Sequence, residues 1–368
     1  DPSNAVVIGS GMFAGSKLFG THRLVAVFRS PETKGLHVSA MGGAAYRFMG
    51  CGVHAISIEG RSPKPVILIV KGNSQGFEGI EMKYIEYEEL ERIYSGYKNK
   101  IGAYALIEYI LDNYRDLLQT LKARPIVVGP ASWKTIYGAL ISIDINFNKM
   151  SIVEGSEDFA ARGGVGSILA QAHNVVAIIA GGEYKPQIFG LFKDTRELYS
   201  SLAKLLGKDY ASSVNEATVK YRFDSKIGAG GTFGVNYPHY RELLPIFNYN
   251  SIYLSKIIRK KIIDILLENF WKPFKLEVSN PKTWTTCGEP CPVACKKIWL
   301  GKKTDYEPFN GLGPMIGVMK IEVAAKLVDL ADQLGFDAIT IGHVIAWLLE
   351  AVYKGLLMPQ EIGLDGKP

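Results

Sequence analysis

Three of the four cysteines fall in nine residues, Cys287-Gly-Glu-Pro-Cys291-Pro-Val-Ala-Cys295, with three residues between each pair. Thiolates bind soft metals, and iron–sulfur clusters are held mostly by cysteine. Pro290 and Pro292 disturb a helix, so the spacing predicts a loop that wraps its sulfurs around a compact cluster. A four-iron cluster normally takes four cysteines. Either the chain folds back to the distant Cys51, or a ligand lies elsewhere. A structural zinc site needs four ligands, and the nearest downstream histidine, His343, is 48 residues past Cys295. A disulfide framework does not suit a 368-residue chain with four cysteines and no signal peptide. The gaps also differ from the three-then-two spacing of radical S-adenosylmethionine proteins.

The chain is 47% hydrophobic with a formal net charge of +6. That suits a globular protein of two or three domains, with no basic arm for nucleic acid and no apolar run of membrane-spanning length. The basic balance would help a small acidic electron carrier dock; the alternative, and the better supported, is an ordinary solvated surface. The start lacks an initiator methionine and the end reads as a loop cut short, so residues are expected to be missing at both ends.

The elements that must position this chemistry change character along the chain. Residues 5–8, 24–28, 126–130 and 175–180 read as short buried strands. Residues 54–59 and 66–70 predict a β-hairpin across Gly60–Pro65. The run Gly9 to Gly15 lacks the spacing and following helix of a dinucleotide fingerprint, which excludes a Rossmann reading. Two further glycine turns, Ser39-Ala-Met-Gly42-Gly43-Ala-Ala-Tyr46 and Phe159-Ala-Ala-Arg162-Gly163-Gly164, would expose backbone N–H groups to a bulky anion; the alternative is a plain tight turn. Arg23 and Arg162 lie near them, and a guanidinium fork suits phosphate oxygens. Residues 86–122 have helical periodicity, as do 193–206, 255–270, 320–334 and 339–354. Lys220–Arg222, Gly228–Gly234 and Tyr237–His239 are expected to form a loop between them. Gly335 and Asp337 fit a helix end and the cap of the next helix.

Taken in order, these stretches resemble the tungsten- and molybdenum-dependent aldehyde:ferredoxin oxidoreductase family, in particular its glyceraldehyde-3-phosphate branch. The carriers are Ser39–Tyr46, Ser156–Gly164, Ala172–Ile178, Thr218–Phe223, Gly231–His239, Thr285–Lys296 and Gly335–Ile339. The resemblance implies an α+β chain. Residues 1–190 would be a β-rich domain of two sheets forming a saddle for two pterin-dithiolenes, and 191–368 a mostly helical domain with the cluster cysteines, cut before a further helical domain. It implies phosphate-binding roles for Arg23 and Arg162, backbone contacts at Gly42, Gly43, Gly163 and Gly164, and magnesium bridging the pterin phosphates near Ala40 and Ala161. Asp332, Gly335 and Asp337 match a pterin-contacting motif, with Phe336 where the family has leucine. Cys287, Cys291 and Cys295 match three ligands of a 4Fe-4S cluster, and Glu307 an active-site glutamate.

The implied activity is oxidation of glyceraldehyde 3-phosphate to 3-phosphoglycerate, with electrons leaving to ferredoxin in the cytoplasm. Lys220, Arg222 and His239 are the expected phosphate contacts, with pterin phosphate or solvent as their alternative partners. The family's fourth cluster cysteine and catalytic histidine are expected beyond residue 368. Cys51 matches no ligand position and reads as a small buried residue. Two other readings stand beside this one: a family member acting on other aldehydes, and a truncated or non-catalytic module holding zinc.

Overall fold

A computed structural model describes residues 3–16, 18–185, 194–279, 286–289 and 291–366. The expected domain boundary at 190, together with Thr285 and Pro290, lies outside them. The chain is α+β and packs as two compact units. The first comprises residues 1–218, 286–293 and 333–337; the second comprises 219–285, 294–332 and 338–368.

The first unit holds two sheets. Strands β1 (Val6–Ser10), β2 (Leu24–Arg29), β3 (Leu36–Met41) and β4 (Ala55–Ile58) form an antiparallel sheet in the order β3-β2-β1-β4. After β3 comes the short helix α1 (Ala44–Phe48). Strands β5 (Val66–Asn73), β6 (Gly76–Tyr84), β7 (Arg124–Val128), β8 (Leu140–Ser142), β11 (Asp158–Ala160) and β12 (Val175–Gly182) form the second sheet, ordered β11-β8-β7-β12-β5-β6. A ribbon of β9 (Ile145–Asn146) and β10 (Ser151–Ile152) lies beside it in the chain. Helices α2 (Tyr87–Ser95), α3 (Gly102–Asn113) and α4 (Arg115–Leu121) follow β6, and α5 (Ala131–Lys134) and α6 (Val165–His173) follow β7 and β11.

Residues 54–59 and 66–70 do not form the expected hairpin. β4 pairs with β1, whereas β5 pairs in parallel with β12 and antiparallel with β6. The burial pattern explains the difference. β4 alternates exposed and buried, as a strand with one solvated face does. Residues 66–70 are buried without interruption and need both faces covered. Val66, Leu68 and Val70 face a core shared with β1, β2 and α1, while Ile67 and Ile69 face a core shared with α2 and α3.

The second unit is helical. Helix α7 (Thr195–Leu206) belongs to the first unit, and α8 (Tyr210–Phe223) passes from one to the other. Then follow α9 (Gly231–Tyr240), α10 (Lys256–Leu266), a π-helical turn at Leu267–Trp271 and α11 (Lys272–Phe274). The ribbon β13 (Ile298–Trp299) and β14 (Lys302–Lys303) precedes α12 (Tyr306–Gly311), α13 (Ile321–Leu334) and α14 (Ala338–Tyr353). The expected loop from 220 to 239 is helical at both ends: Lys220–Arg222 close α8, and Gly231–His239 lie in α9 despite Pro238. A proline inside a helix deprives the carbonyl four residues earlier of its donor. Here that carbonyl belongs to Gly234, and the Trp271 indole Nε1–H donates to it at 2.8 Å. Phe233, Phe270, Phe274 and Phe309 pack around the same helix.

Trp271→Phe is expected to lower the unfolding free energy by about 1–2 kcal/mol, because it strips a carbonyl of its donor. Adding Pro238→Ala restores a backbone donor and should recover part of the loss in urea unfolding.

Candidate cofactor site

The first glycine turn brings together a backbone, a carboxylate, a thiol and a guanidinium. The Gly42 N–H donates to Asp158 Oδ2 at 3.0 Å. A Cβ on Gly42 would lie 2.6 Å from Asp158 Oδ2, 2.7 Å from Cys287 Sγ and 3.0 Å from Arg23 Nη1. Gly43 has φ 76°, and a Cβ there would overlap the Cys287 carbonyl. Only glycine meets both demands. Arg23 Nη1 lies 3.7 Å from Asp158 Oδ2, with its side chain still 54% exposed.

Beneath this turn sits Arg124, which is 2% exposed. Its Nε donates to Ser142 Oγ at 2.8 Å and Nη1 to the Cys287 carbonyl at 2.6 Å; Nη2 donates to the carbonyls of Ser142 (3.2 Å) and Ser156 (3.3 Å). Burial works against its charge, and Asp144 is the first group to oppose that effect. The Cys287 thiol donates to Glu289 Oε1 at 3.1 Å. His22 Nδ1 accepts from the Gly15 N–H at 3.0 Å, which leaves the proton of the neutral ring on Nε2. Burial lowers the His22 pKa, against the raising charge of Glu289. His22 Nε2 and Glu289 Oε2 are both buried without a hydrogen-bond partner. Such orphans mark a place where a polar group fits.

The second glycine turn repeats the plan. Gly163 and Gly164 have φ 81° and 76°, and a Cβ on Gly163 would lie 2.6 Å from His37 Cγ. Arg162 Nε stands 3.7 Å from Asp337 Oδ2; the arginine side chain is 57% exposed and Asp337 fully buried. Burial, then the charge of Asp337, raises the pKa of Glu32, whose Oε1 is a further buried orphan. Gly335 and Asp337 are tied to the sheet by Ala139 N–H to Gly335 O (2.9 Å) and Asp337 N–H to Tyr137 O (2.8 Å). β11 lies against β3, so Ala40 at the end of one and Ala161 just past the other sit on adjoining segments. Two left-handed glycine turns, each with a half-exposed arginine held by a carboxylate, fit a ligand carrying two phosphate groups.

The nine-residue cysteine stretch is divided. Cys287 and Cys291 belong to the first unit and Cys295 to the second. The backbone is irregular at 286–289 and 291–295, so the thiols share no helix face. Cys287 is buried, Cys291 half-buried and Cys295 exposed, and no disulfide joins any of them. Among the described residues, no three His, Cys, Asp or Glu side chains gather to hold a single metal ion. Cys51 is packed in the core, its thiol donating to the Val70 carbonyl at 3.2 Å, and burial pushes it up to about 12.

In the second unit, Asp332 lies half-buried in α13 and Glu307 half-buried in the first turn of α12. Lys220 is exposed with its ammonium 5.1 Å from the Tyr221 ring centroid; His239 is exposed beside Tyr240. Arg222 shares its surroundings with Lys297, Cys295 and Asp305. Lys297 is 2% exposed and donates to the Ala294 carbonyl at 2.9 Å; burial pulls it down to about 8, opposed first by Cys295.

Sequence reasoning missed Arg124, Asp158, Glu289, His22 and Lys297. The one available signal for Arg124 was an arginine opening the apolar strand Arg-Pro-Ile-Val-Val.

The scaffold and its two glycine cradles define an α+β domain with two turns suited to phosphate groups. Comparison with known proteins specifies the class further. Residues 1–182 match the aldehyde ferredoxin oxidoreductase N-terminal domain, and residues 205–367 match domains 2 and 3 of the same family. A glyceraldehyde-3-phosphate:ferredoxin oxidoreductase of Pyrococcus furiosus is 42% identical over 100% of this chain and 56% of its own length. An uncharacterized protein of Methanocaldococcus jannaschii is 38% identical over 99% of this chain and 54% of its own. A tungsten-containing aldehyde ferredoxin oxidoreductase of P. furiosus is 23% identical over the whole chain and 53% of its own length. The solved active-site complex of a benzoyl coenzyme A reductase has the same fold, with TM-score 0.66 and 17% identity over 98% of this chain and 50% of that one. The chain therefore belongs to the aldehyde ferredoxin oxidoreductase family, a family of enzymes. It spans about half the length of the curated relatives it matches. No described helix is long and apolar enough to cross a membrane.

Arg124→Met is expected to cost on the order of 3 kcal/mol, since it leaves the Ser142, Ser156 and Cys287 carbonyls without their donor; chemical unfolding measures it. Alkylation at pH 8 followed by peptide mass spectrometry is expected to modify Cys295 in metal-free native protein and to leave Cys51 untouched, the thiolate being the reactive form.

Proposed function

We propose that this chain carries the cofactor-binding part of an enzyme that oxidises glyceraldehyde 3-phosphate to 3-phosphoglycerate and passes the electrons to ferredoxin. The observation that carries this reading is the 42% identity, along the whole chain, with a protein of that name. The two phosphate-suited cradles support it. A bis-pterin tungsten or molybdenum centre would supply the two-electron chemistry, and a cysteine-held 4Fe-4S cluster would relay electrons singly. The tungsten in the names of related proteins favours that metal.

Each residue has a place in this reading. Arg23 with Gly42 and Gly43, and Arg162 with Gly163 and Gly164, would grip the pterin phosphates. Backbone groups near Ala40 and Ala161 would hold a magnesium ion beside the pterin phosphates. Asp332, Gly335 and Asp337 would meet the pterin edges, ionised carboxylates being acceptors for ring N–H groups. Cys287, Cys291 and Cys295 would hold three cluster corners, with the fourth ligand supplied by sequence outside these residues. Glu307 would hold or move a proton at the aldehyde carbon's incoming oxygen. Lys220, Arg222 and His239 would bind the substrate phosphate, for which cationic donors are suited. The cytoplasm, where iron–sulfur chemistry is sheltered from oxidants, is the proposed compartment.

Plasma mass spectrometry of the anaerobic full-length enzyme is expected to find about four irons and about one tungsten or molybdenum per chain. Zinc alone would refute the reading. Charge-neutralising Lys220→Gln with Arg222→Gln should raise KM for the phosphorylated aldehyde by on the order of tenfold over the plain one. Equal effects on both substrates would exclude these residues as the phosphate site.

A further inference from the structure

Tyr237 is fully buried in α9, and its hydroxyl has no hydrogen-bond partner. The ring is fixed on several sides: Phe233 at 4.7 Å, Phe270 at 5.9 Å and, edge-on, Tyr306 at 5.0 Å between ring centroids. Tyr306 immediately precedes Glu307, and its N–H donates to Thr232 Oγ1 at 3.0 Å, which ties the start of α12 to the start of α9. The Glu307 carboxylate lies within electrostatic reach of both phenols. After burial, Tyr306 and Glu307 keep the Tyr237 phenol protonated, and Tyr240 and Glu307 do the same for Tyr306. Two protonated phenols therefore feel the charge of one half-buried carboxylate at the start of α12. A buried hydroxyl without a partner is costly, and ordered water is the usual remedy where two or more polar groups converge.

We propose that the Tyr237 hydroxyl holds an ordered water against the Glu307 carboxylate. Tyr237 is then a positioning residue. It acts through hydrogen bonds alone, and its task is to keep water oriented beside the group assigned to proton handling. This rests on the proposed aldehyde oxidation, whose carboxylate product takes an oxygen derived from water. The chemistry that recognises the site is that of a small neutral molecule able to accept one hydrogen bond and donate another.

The test uses Tyr237→Phe in the full-length enzyme, with a crystal structure of each form. The expected result is a water bridging Tyr237 Oη and Glu307 in the parent and absent from the variant. A fall in kcat on the order of tenfold, with KM within about twofold, is also expected. Unaltered kcat, or no water beside Tyr237 in the parent, would overturn the proposal. If the parent enzyme oxidises no aldehyde, the proposed function fails, and the presence or absence of the water still decides the Tyr237 inference.

Discussion

The first unit depends on one buried cation. Arg124 must surrender its hydration to sit beneath the glycine turn, and a guanidinium inside a protein is tolerated only when its donors are met. Ser142 and Ser156 meet part of that need from nearby in the chain. The rest comes from the carbonyl of Cys287, 163 residues away. Satisfying Arg124 therefore places the cysteine stretch against the sheet. Once the Cys287 carbonyl is there, no side chain can stand at Gly43, and Gly42 is confined by the thiol, Asp158 and Arg23.

The second turn reaches a similar arrangement with other parts. There the buried anion is Asp337, which comes from the short stretch 335–337 laid along residues 137–139. In both turns a carboxylate, fully buried for Asp337 and 14% exposed for Asp158, holds a half-exposed arginine at 3.7 Å. Neither ion pair is close, and surface pairs contribute little to stability. Each guanidinium nevertheless stays on a side chain that is more than half exposed.

In the second unit the aromatic interior sets the terms. Phe233, Phe270, Phe274 and Phe309 pack together at α9, and Pro238 is accommodated because Trp271 takes over the orphaned Gly234 carbonyl. The same interior leaves the Tyr237 hydroxyl unmatched. A core that satisfies a lost backbone bond with an indole yet leaves a phenol open treats the two groups differently, and the second feels the charge of Glu307.

Much of this was legible from residue order alone. Helices over 86–122, 255–270, 320–334 and 339–354 follow from apolar spacing, and both glycine turns from residue type, because local periodicity and left-handed φ are properties of a few adjacent residues. The family followed from several such stretches in order. The pairing of β4 and β5, the helical form of Gly231–His239, and the Arg124, Asp158, Glu289 and His22 surroundings of Cys287 were decided only in the tertiary structure. Strand partners are chosen by which faces become buried, and a proline is tolerated when a distant indole supplies its missing bond. A buried charge is settled by carbonyls far away in sequence. Each of these depends on groups that the chain order separates and the folded core brings into contact.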